Sequence, residues 1–212
     1  MLYETGCSGI AAAAIIDRLG SNGTIIHVHP GNSEHPSHAV LSLNLKKEQL
    51  DQLISINIHK LSLKNTKQNE SEETVIEKIV DDEKVTLGKR KLEEPNIGWR
   101  KKRKEENEER AIEILKEKKA DALLIVGREH PSNIFRKLIR YVKISRPFVI
   151  YCSIREPLQE MFCELKSRSD VIALRLTESW LRGYQVLPDR THPDINISGS
   201  GGFLLSGIVV TG

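Results

Sequence analysis

Three short strings in this chain place side chains at spacings that could do chemistry. The first is Glu4-Thr5-Gly6-Cys7-Ser8-Gly9-Ile10, which follows the apolar Leu2-Tyr3. Glycines three residues apart let a strand turn sharply into a helix with its backbone amides facing a nucleotide-like ligand. The second is Ile25-Ile26-His27-Val28 with His29 and Pro30 after it. In doubly wound sheets a carboxylate at this point takes the ribose hydroxyls, and neither His29 nor Pro30 can accept two such hydrogen bonds. The third is Val126-Gly127-Arg128-Glu129-His130-Pro131, at the end of an apolar run. A guanidinium there suits bidentate contact with phosphate, which an ammonium cannot make. The alternative for Arg128 is an ion pair with Glu129 or a neighbouring acid.

A second set of candidates lies in the last third, from Trp180-Leu181-Arg182-Gly183-Tyr184 through Pro188-Asp189-Arg190-Thr191-His192-Pro193. Arg182 and Arg190 flank Tyr184, with His192 close behind, a mixture suited to backbone contact plus stacking on an unstacked RNA base. Read structurally, Trp180 and Tyr184 are core or subunit-interface anchors, the reading favoured for Trp180. His192 before Pro193 reads as a loop hydrogen-bonder, and no histidine has a partner at a recognisable zinc spacing, so no metal is expected. Gly199-Ser200-Gly201-Gly202 lacks the Lys-Ser/Thr and helix of a phosphate loop and reads as a tight turn into the final strand. Arg136, Lys137, Arg140, Lys143 and Arg146 form either a cationic surface or an ordinary solvated helix face.

The elements that must hold these residues alternate. Ile10–Leu19, with four alanines, reads as a helix stopped by Gly20 to Gly23, and Thr24–Val28 as a strand, completing a strand-turn-helix-strand unit. Ala39–Leu43 reads as another strand, Lys46 to Ile54 as a turn or two of helix, and Ile54 to Leu63 as an apolar run. Glu105–Lys119 is helical by pattern and Asp121–Gly127 is a buried strand. Ser132–Val142 reads as a helix capped by Ser132, and Pro147–Cys152 as a second buried strand. Apolar runs alternating with helices imply a parallel sheet covered on both faces. Val171–Leu176, Tyr184–Leu187 and Phe203–Val210 then close the chain without a helix between the last two. That is the antiparallel finish of a Rossmann-like α/β sheet of class I methyltransferase type, seven-stranded and mostly parallel.

Between residues 64 and 104 the periodicity fails: Asn, Gln, Ser, Glu and Lys dominate. Such a stretch cannot bury enough surface to offset its ordering entropy, so a disordered charged insertion is expected between two halves of one domain, 1–63 and 105–212. It carries Lys89-Arg90-Lys91 and Arg100-Lys101-Lys102-Arg103-Lys104. These clusters fit a bipartite nuclear-import signal, an RNA-grasping arm, or both. The net charge of the 212 residues is only +3, yet 29% are charged and the cations are clustered, a distribution that points to a polyanionic partner. No apolar run approaches the ~20 residues that cross a bilayer, and no membrane is expected. Cys7, Cys152 and Cys163 are too few and scattered for a disulfide framework, so a reducing compartment is the natural setting. The strand at Met1-Leu2-Tyr3-Glu4 has nothing before it to pair with, which suggests that an N-terminal part has been cut away.

Taken jointly, Glu4 to Gly9, Ala120-Asp121-Ala122 with Arg128 and His130-Pro131, Ser145-Arg146-Pro147 through Cys152, Glu156-Pro157-Leu158 and the tail resemble one family. It is the non-catalytic subunit of the eukaryotic tRNA (adenine(58)-N1)-methyltransferase. The resemblance implies a degenerate cofactor turn at Glu4, Gly6 and Gly9 that binds no cofactor. Adenosylmethionine would sit in a separate catalytic subunit, within an α2β2 heterotetramer that positions tRNA for N1 methylation of a T-loop adenine, in the nucleus. Related catalytic subunits carry Asp where this chain has Arg128, and a cation beside an adenine gaining positive charge works against the reaction. By resemblance Arg128 would contact tRNA and the tail strands would meet the catalytic partner. Arg182, Arg190, His192 and Arg100 to Lys104 complete the expected RNA-binding set. The rival expectations are an active methyltransferase with a shortened glycine turn, in which Glu129 would be the remaining base, and a purely structural assembly subunit.

Overall fold

The computed structural model describes residues 1–6, 9–20, 23–31, 38–63, 97–196, 199 and 201–210. Its strands are β1 (Leu2–Glu4), β2 (Ile25–His29), β3 (Leu53–Asn57), β4 (Leu123–Val126), β5 (Pro147–Cys152), β6 (Val171–Glu178), β7 (Tyr184–Leu187), β8 (Arg190–Pro193) and β9 (Phe203–Val209). Seven of them form one sheet in the order β3-β2-β1-β4-β5-β9-β6, while β7 and β8 pair only with each other. β1 to β5 are mutually parallel, and β9 runs antiparallel to both β5 and β6. β6 therefore points the same way as β1 to β5. This is the Rossmann-like methyltransferase fold expected from the sequence, with its reversed strand placed between two others.

Crossover helices follow from local sequence. In α1 (Ile10–Leu19) the small residues Ala12 and Ala13 and the larger Ile16 form the buried face, which lets the helix lie close on the sheet. α6 (Pro131–Leu138) opens with proline at its first position, where the missing N–H costs nothing, and buries Ile134, Phe135 and Leu138. α7 (Glu156–Lys166) buries Leu158, Met161 and Leu165 at three- and four-residue spacing. α5 (Ile97–Glu117) buries Glu108, Ala111, Ile112 and Leu115. Phe135 of α6 meets Phe148 of β5 with ring centroids 4.8 Å apart, an inclined aromatic contact at the centre of the larger core.

Several elements differ from the pattern reading. Ala39–Leu43 is not a strand: His38–Ser42 forms a short helix, α2. Its alternation is deceptive because only Val40 is buried, against the α1 side, whereas Leu41 and Leu43 face solvent, and β3 already holds the sheet position beside β2. Lys47–Leu50 and Ile58–Leu63 add short helices, α3 and α4, on either side of β3. Helix α5 begins at Ile97, eight residues before the expected Glu105, so the basic run Arg100–Lys104 is helical and the part of the expected insertion that remains, 64–96, lies outside the described residues. Ser132 is not a cap. Pro131 takes the first helical position, the cap is His130 with no side-chain hydrogen bond, and the helix tightens into a 3₁₀ turn at Ile139–Tyr141. Tyr184–Leu187 does not join the main sheet but leaves it as half of a hairpin.

Candidate functional site

The C-terminal ends of β1 and β4 lie side by side, with Glu4 paired to Val126, and the sequence's first and third candidate strings meet there. Thr5 donates its amide to the Val126 carbonyl at 2.9 Å, which carries the pairing one residue past the strand. Gly6 then takes φ +74°, and Gly9 φ +83°, both in the left-handed region that favours glycine. The Glu4 carboxylate is buried and turns inward: Oε1 accepts the Ala11 amide and Oε2 the Ala12 amide, each at 3.1 Å. The chain's own anion therefore satisfies donors at the start of α1 that an anionic ligand would use. Cys7 and Ser8 lie outside the described residues.

Arg128 lies across this turn. A β-carbon placed on Gly6 would sit 3.0 Å from Arg128 Nε and 3.1 Å from its Cδ, so the arginine stem covers the glycine while the residue as a whole stays exposed. Among the described residues no ion pair joins Arg128 to Glu129. Glu129 instead accepts a 2.8 Å hydrogen bond from the buried Tyr3 hydroxyl. Burial first, and the Glu129 contact second, push the Tyr3 phenol well above its usual range, so it stays a donor. This contact weighs against the alternative of Glu129 as a free base.

At the end of β2, His29 is buried opposite Asn57 of β3, and its ring lies 6.1 Å from that of His27. Burial, then the neighbouring His29, lowers the His27 pKa to about 4 and keeps that ring neutral near pH 7. Asn57, which the sequence reading missed, donates to the Gly31 carbonyl at 2.8 Å and accepts the His59 amide at 2.7 Å, tying the loop after β2 to the start of α4. A strand-terminal Asn preceding a helix was the available signal. The residues do not fit a bound adenosylmethionine. The space over Gly6 holds the Arg128 side chain, the Ala11 and Ala12 amides are occupied by Glu4, and a buried imidazole stands where a ribose-binding carboxylate belongs. Among the described residues no group of three or more His, Cys, Asp or Glu could hold a metal ion.

The hairpin β7–β8 leaves the same edge, between the end of β6 at Glu178 and the start of β9 at Phe203, which are paired. Its neck is closed by backbone: the Ser179 amide donates to the Gly202 carbonyl at 2.9 Å, and Gly201 approaches the Ser179 carbonyl too closely for any side chain. Gly202, at φ +84°, packs on Tyr151. At the tip, Pro188 precedes Asp189 at φ +57°. Register sorts the candidates: Tyr184 opposes Pro193 and Val186 opposes Thr191 on one face, while Gln185 opposes His192 and Leu187 opposes Arg190 on the other. Tyr184 therefore does not share a face with Arg190 and His192. Arg182 does reach the Tyr184 ring, its guanidinium carbon 6.0 Å from the centroid, the outer limit of a cation–π contact. His192 sits in a strand rather than a loop, its Nδ1 3.1 Å from the Pro193 carbonyl oxygen.

Trp180 is not core. It is 49% exposed, and with Leu181 (89%), Val186 (74%) and Ile195 (90%) it makes the excursion markedly apolar for a surface element. A two-stranded ribbon with every β7 residue exposed lacks a core of its own and suits docking against another surface. The cations of the α6 region divide: Arg136 pairs with Glu164, and Lys143 and Arg146 pair with Asp121, so much of that cluster is ordinary surface ion pairing.

Comparison with known proteins fits this arrangement. The chain is 32% identical to the mouse tRNA (adenine(58)-N(1))-methyltransferase non-catalytic subunit TRM6, across 99% of its own length and 52% of that protein. It is 28% identical to the Dictyostelium discoideum subunit of the same name, across 100% of this chain and 43% of that one. The similarity to that family runs along nearly the whole of this chain. The chain spans about half the length of the curated relatives it matches. No protein-family model matches it. Among solved structures, a SAM-dependent O-methyltransferase from Thermotoga maritima superposes with a TM-score of 0.59 at 16% identity, covering 99% of this chain and 58% of that one, a likeness of fold.

Proposed function

We propose that this domain is the tRNA-holding, non-catalytic part of a two-component tRNA (adenine(58)-N1)-methyltransferase. It binds RNA along the C-terminal edge of its sheet and leaves the methyl donor to a catalytic partner docked on the β7–β8 excursion. The observation that carries this reading is Arg128, whose side chain from Cγ to the guanidinium Nε lies over Gly6 while the residue stays exposed. In that position it obstructs a cofactor and offers a phosphate a charge-assisted contact. As an acid-base group it is unsuited: a cation a few ångströms from an adenine acquiring positive charge raises the barrier, more so where water is excluded. The relatives' names supply the substrate and the catalytic partner. Two copies of each subunit and a nuclear site of action complete the proposal.

The test is reconstitution with the catalytic subunit. Methylation of tRNA should require both chains, and calorimetry of this chain alone with adenosylmethionine should show no heat of binding. Micromolar binding would overturn the reading. In the complete complex, Arg128→Ala should weaken tRNA affinity without loss of assembly, and the logarithm of affinity should fall linearly with that of salt for the parent complex.

A further inference from the structure

A second cationic element stands over the same edge. Lys60 of α4, just past the C-terminal end of β3, pairs with the buried Glu108 of α5. That pair sets the level of the helix. From Glu108, α5 runs down the sheet, burying Ala111, Ile112 and Leu115 at spacings of three, four and seven, and ends at Glu117, close in the chain to the start of β4 at Leu123. Glu108–Glu117 is ten residues, about 15 Å of helix at 1.5 Å per residue, which matches the roughly 16 Å length of the five-residue β3 beside it. The preceding Ile97–Asn107 therefore continues about 16 Å beyond the C-terminal edge of the sheet.

This projecting half contains Arg100-Lys101-Lys102-Arg103-Lys104, and the acids Glu105, Glu106, Glu108 and Glu109 begin only after it. Five successive residues at 100° each go more than once round a helix axis, so the run does not follow the three- and four-residue spacing of a single solvated face. The order is locally unfavourable. Cations sit toward the positive end of the helix dipole, and Lys101/Glu105 and Lys102/Glu106 run in the weaker of the two i,i+4 orientations. A helix that only shields a core gains nothing from that order, whereas a phosphate backbone offsets it. In the sheet order, β3 lies three strands from β4, about 14 Å at 4.8 Å per strand, so the arm rises from the edge that carries Arg128.

We propose that the first half of α5 is a second RNA-backbone contact, gripping phosphates at the β3 end of the edge while Arg128 meets them at its centre. This rests on the tRNA-binding reading above, and the experiment separates the two. In the complete complex with the catalytic subunit, Lys101→Gln/Lys102→Gln/Arg103→Gln is compared with Lys116→Gln/Lys118→Gln/Lys119→Gln. The second triple makes the same charge change at the opposite end of α5. Affinity for tRNA is measured across a salt series, with co-purification and melting temperature as controls. The arm variant should assemble and melt as the parent does, bind tRNA at least about tenfold more weakly near 0.15 M salt, and show a log-log slope shallower by about 2. The distal variant should stay within twofold of the parent. An unchanged arm slope, equal losses in both variants, or loss of the catalytic subunit would each overturn the proposal. If Arg128→Ala weakens binding while the arm variant does not, the arm fails and the wider function stands. If the parent complex binds no tRNA, the wider function fails as well.

Discussion

The glycine turn between β1 and α1 and the hairpin between β6 and β9 leave the same edge of one sheet and treat their own groups in opposite ways. At the turn, several groups among the described residues are engaged within the chain: Glu4 on the Ala11 and Ala12 amides, Tyr3 on Glu129, and the Arg128 side chain over Gly6. At the hairpin, apolar groups that would stabilise the fold if buried are left in water, with Leu181 and Ile195 about nine-tenths exposed. Glu4 and Tyr3 thereby serve the fold as a structural joint beneath the exposed Arg128. A site that remains unsatisfied is where another molecule belongs, because exposed apolar surface of this size gains free energy only when covered.

That contrast can be broken experimentally. The neck of the excursion should be the most sensitive point: Gly202→Val combines a positive φ with overlap on Tyr151 and should lower the unfolding free energy by about 3 kcal/mol in denaturant titrations. A loss below 1 kcal/mol would mean the neck is not held there. On the hairpin itself, Leu181→Ser/Val186→Ser should leave the isolated chain's stability within about 0.5 kcal/mol while weakening capture by the catalytic subunit by about 2 kcal/mol, some 30-fold. A stability loss larger than the binding loss would reverse the distinction between the two regions. At the turn, Glu4→Ala should cost about 1 to 2 kcal/mol by uncapping α1 and should leave assembly unchanged.

A smaller effect is expected from pH. His27 is neutral in the folded chain down to about pH 4, whereas in the unfolded chain it takes up a proton near 6.5. The unfolded state therefore binds more protons between those values. Stability is unaffected above pH 6.5, falls as pH drops from 6.5 toward 4, and levels off below. His27→Gln should flatten that interval in melting curves. An unchanged slope would show that the ring is protonated without penalty and that the end of β2 is more open than its burial suggests.

Much of this was legible in the residues themselves. Glycine spacing after Leu2-Tyr3 required a sharp exit from a strand, and buried β-branched runs announced parallel strands. Absence of a carboxylate after Val28 and the presence of Arg128 at a strand end are chemical facts that need no coordinates. Ala39–Leu43 was misread because alternation is also what a short helix with one buried residue looks like, and only the neighbouring α1 face decides between them. The start of α5 was missed because cations toward a helix's positive end weaken its local signal, whereas the anchoring Lys60–Glu108 pair is 48 residues apart in the chain.

What the sequence determined alone is composition at fixed points: which strand ends carry a cation, an imidazole or a glycine, and that apolar residues recur at periods that build a covered parallel sheet. Tertiary structure decided which of those points face one another. Glu4 reaches forward to α1, Tyr3 finds Glu129 across 126 residues, Arg190 and His192 part from Tyr184 through the pleat of a hairpin, and Lys60 of α4 meets Glu108 of α5. Periodicity is a property of neighbours within a few residues, so it survives in the string; pairing across the sheet depends on strand order and register, which only the folded chain sets.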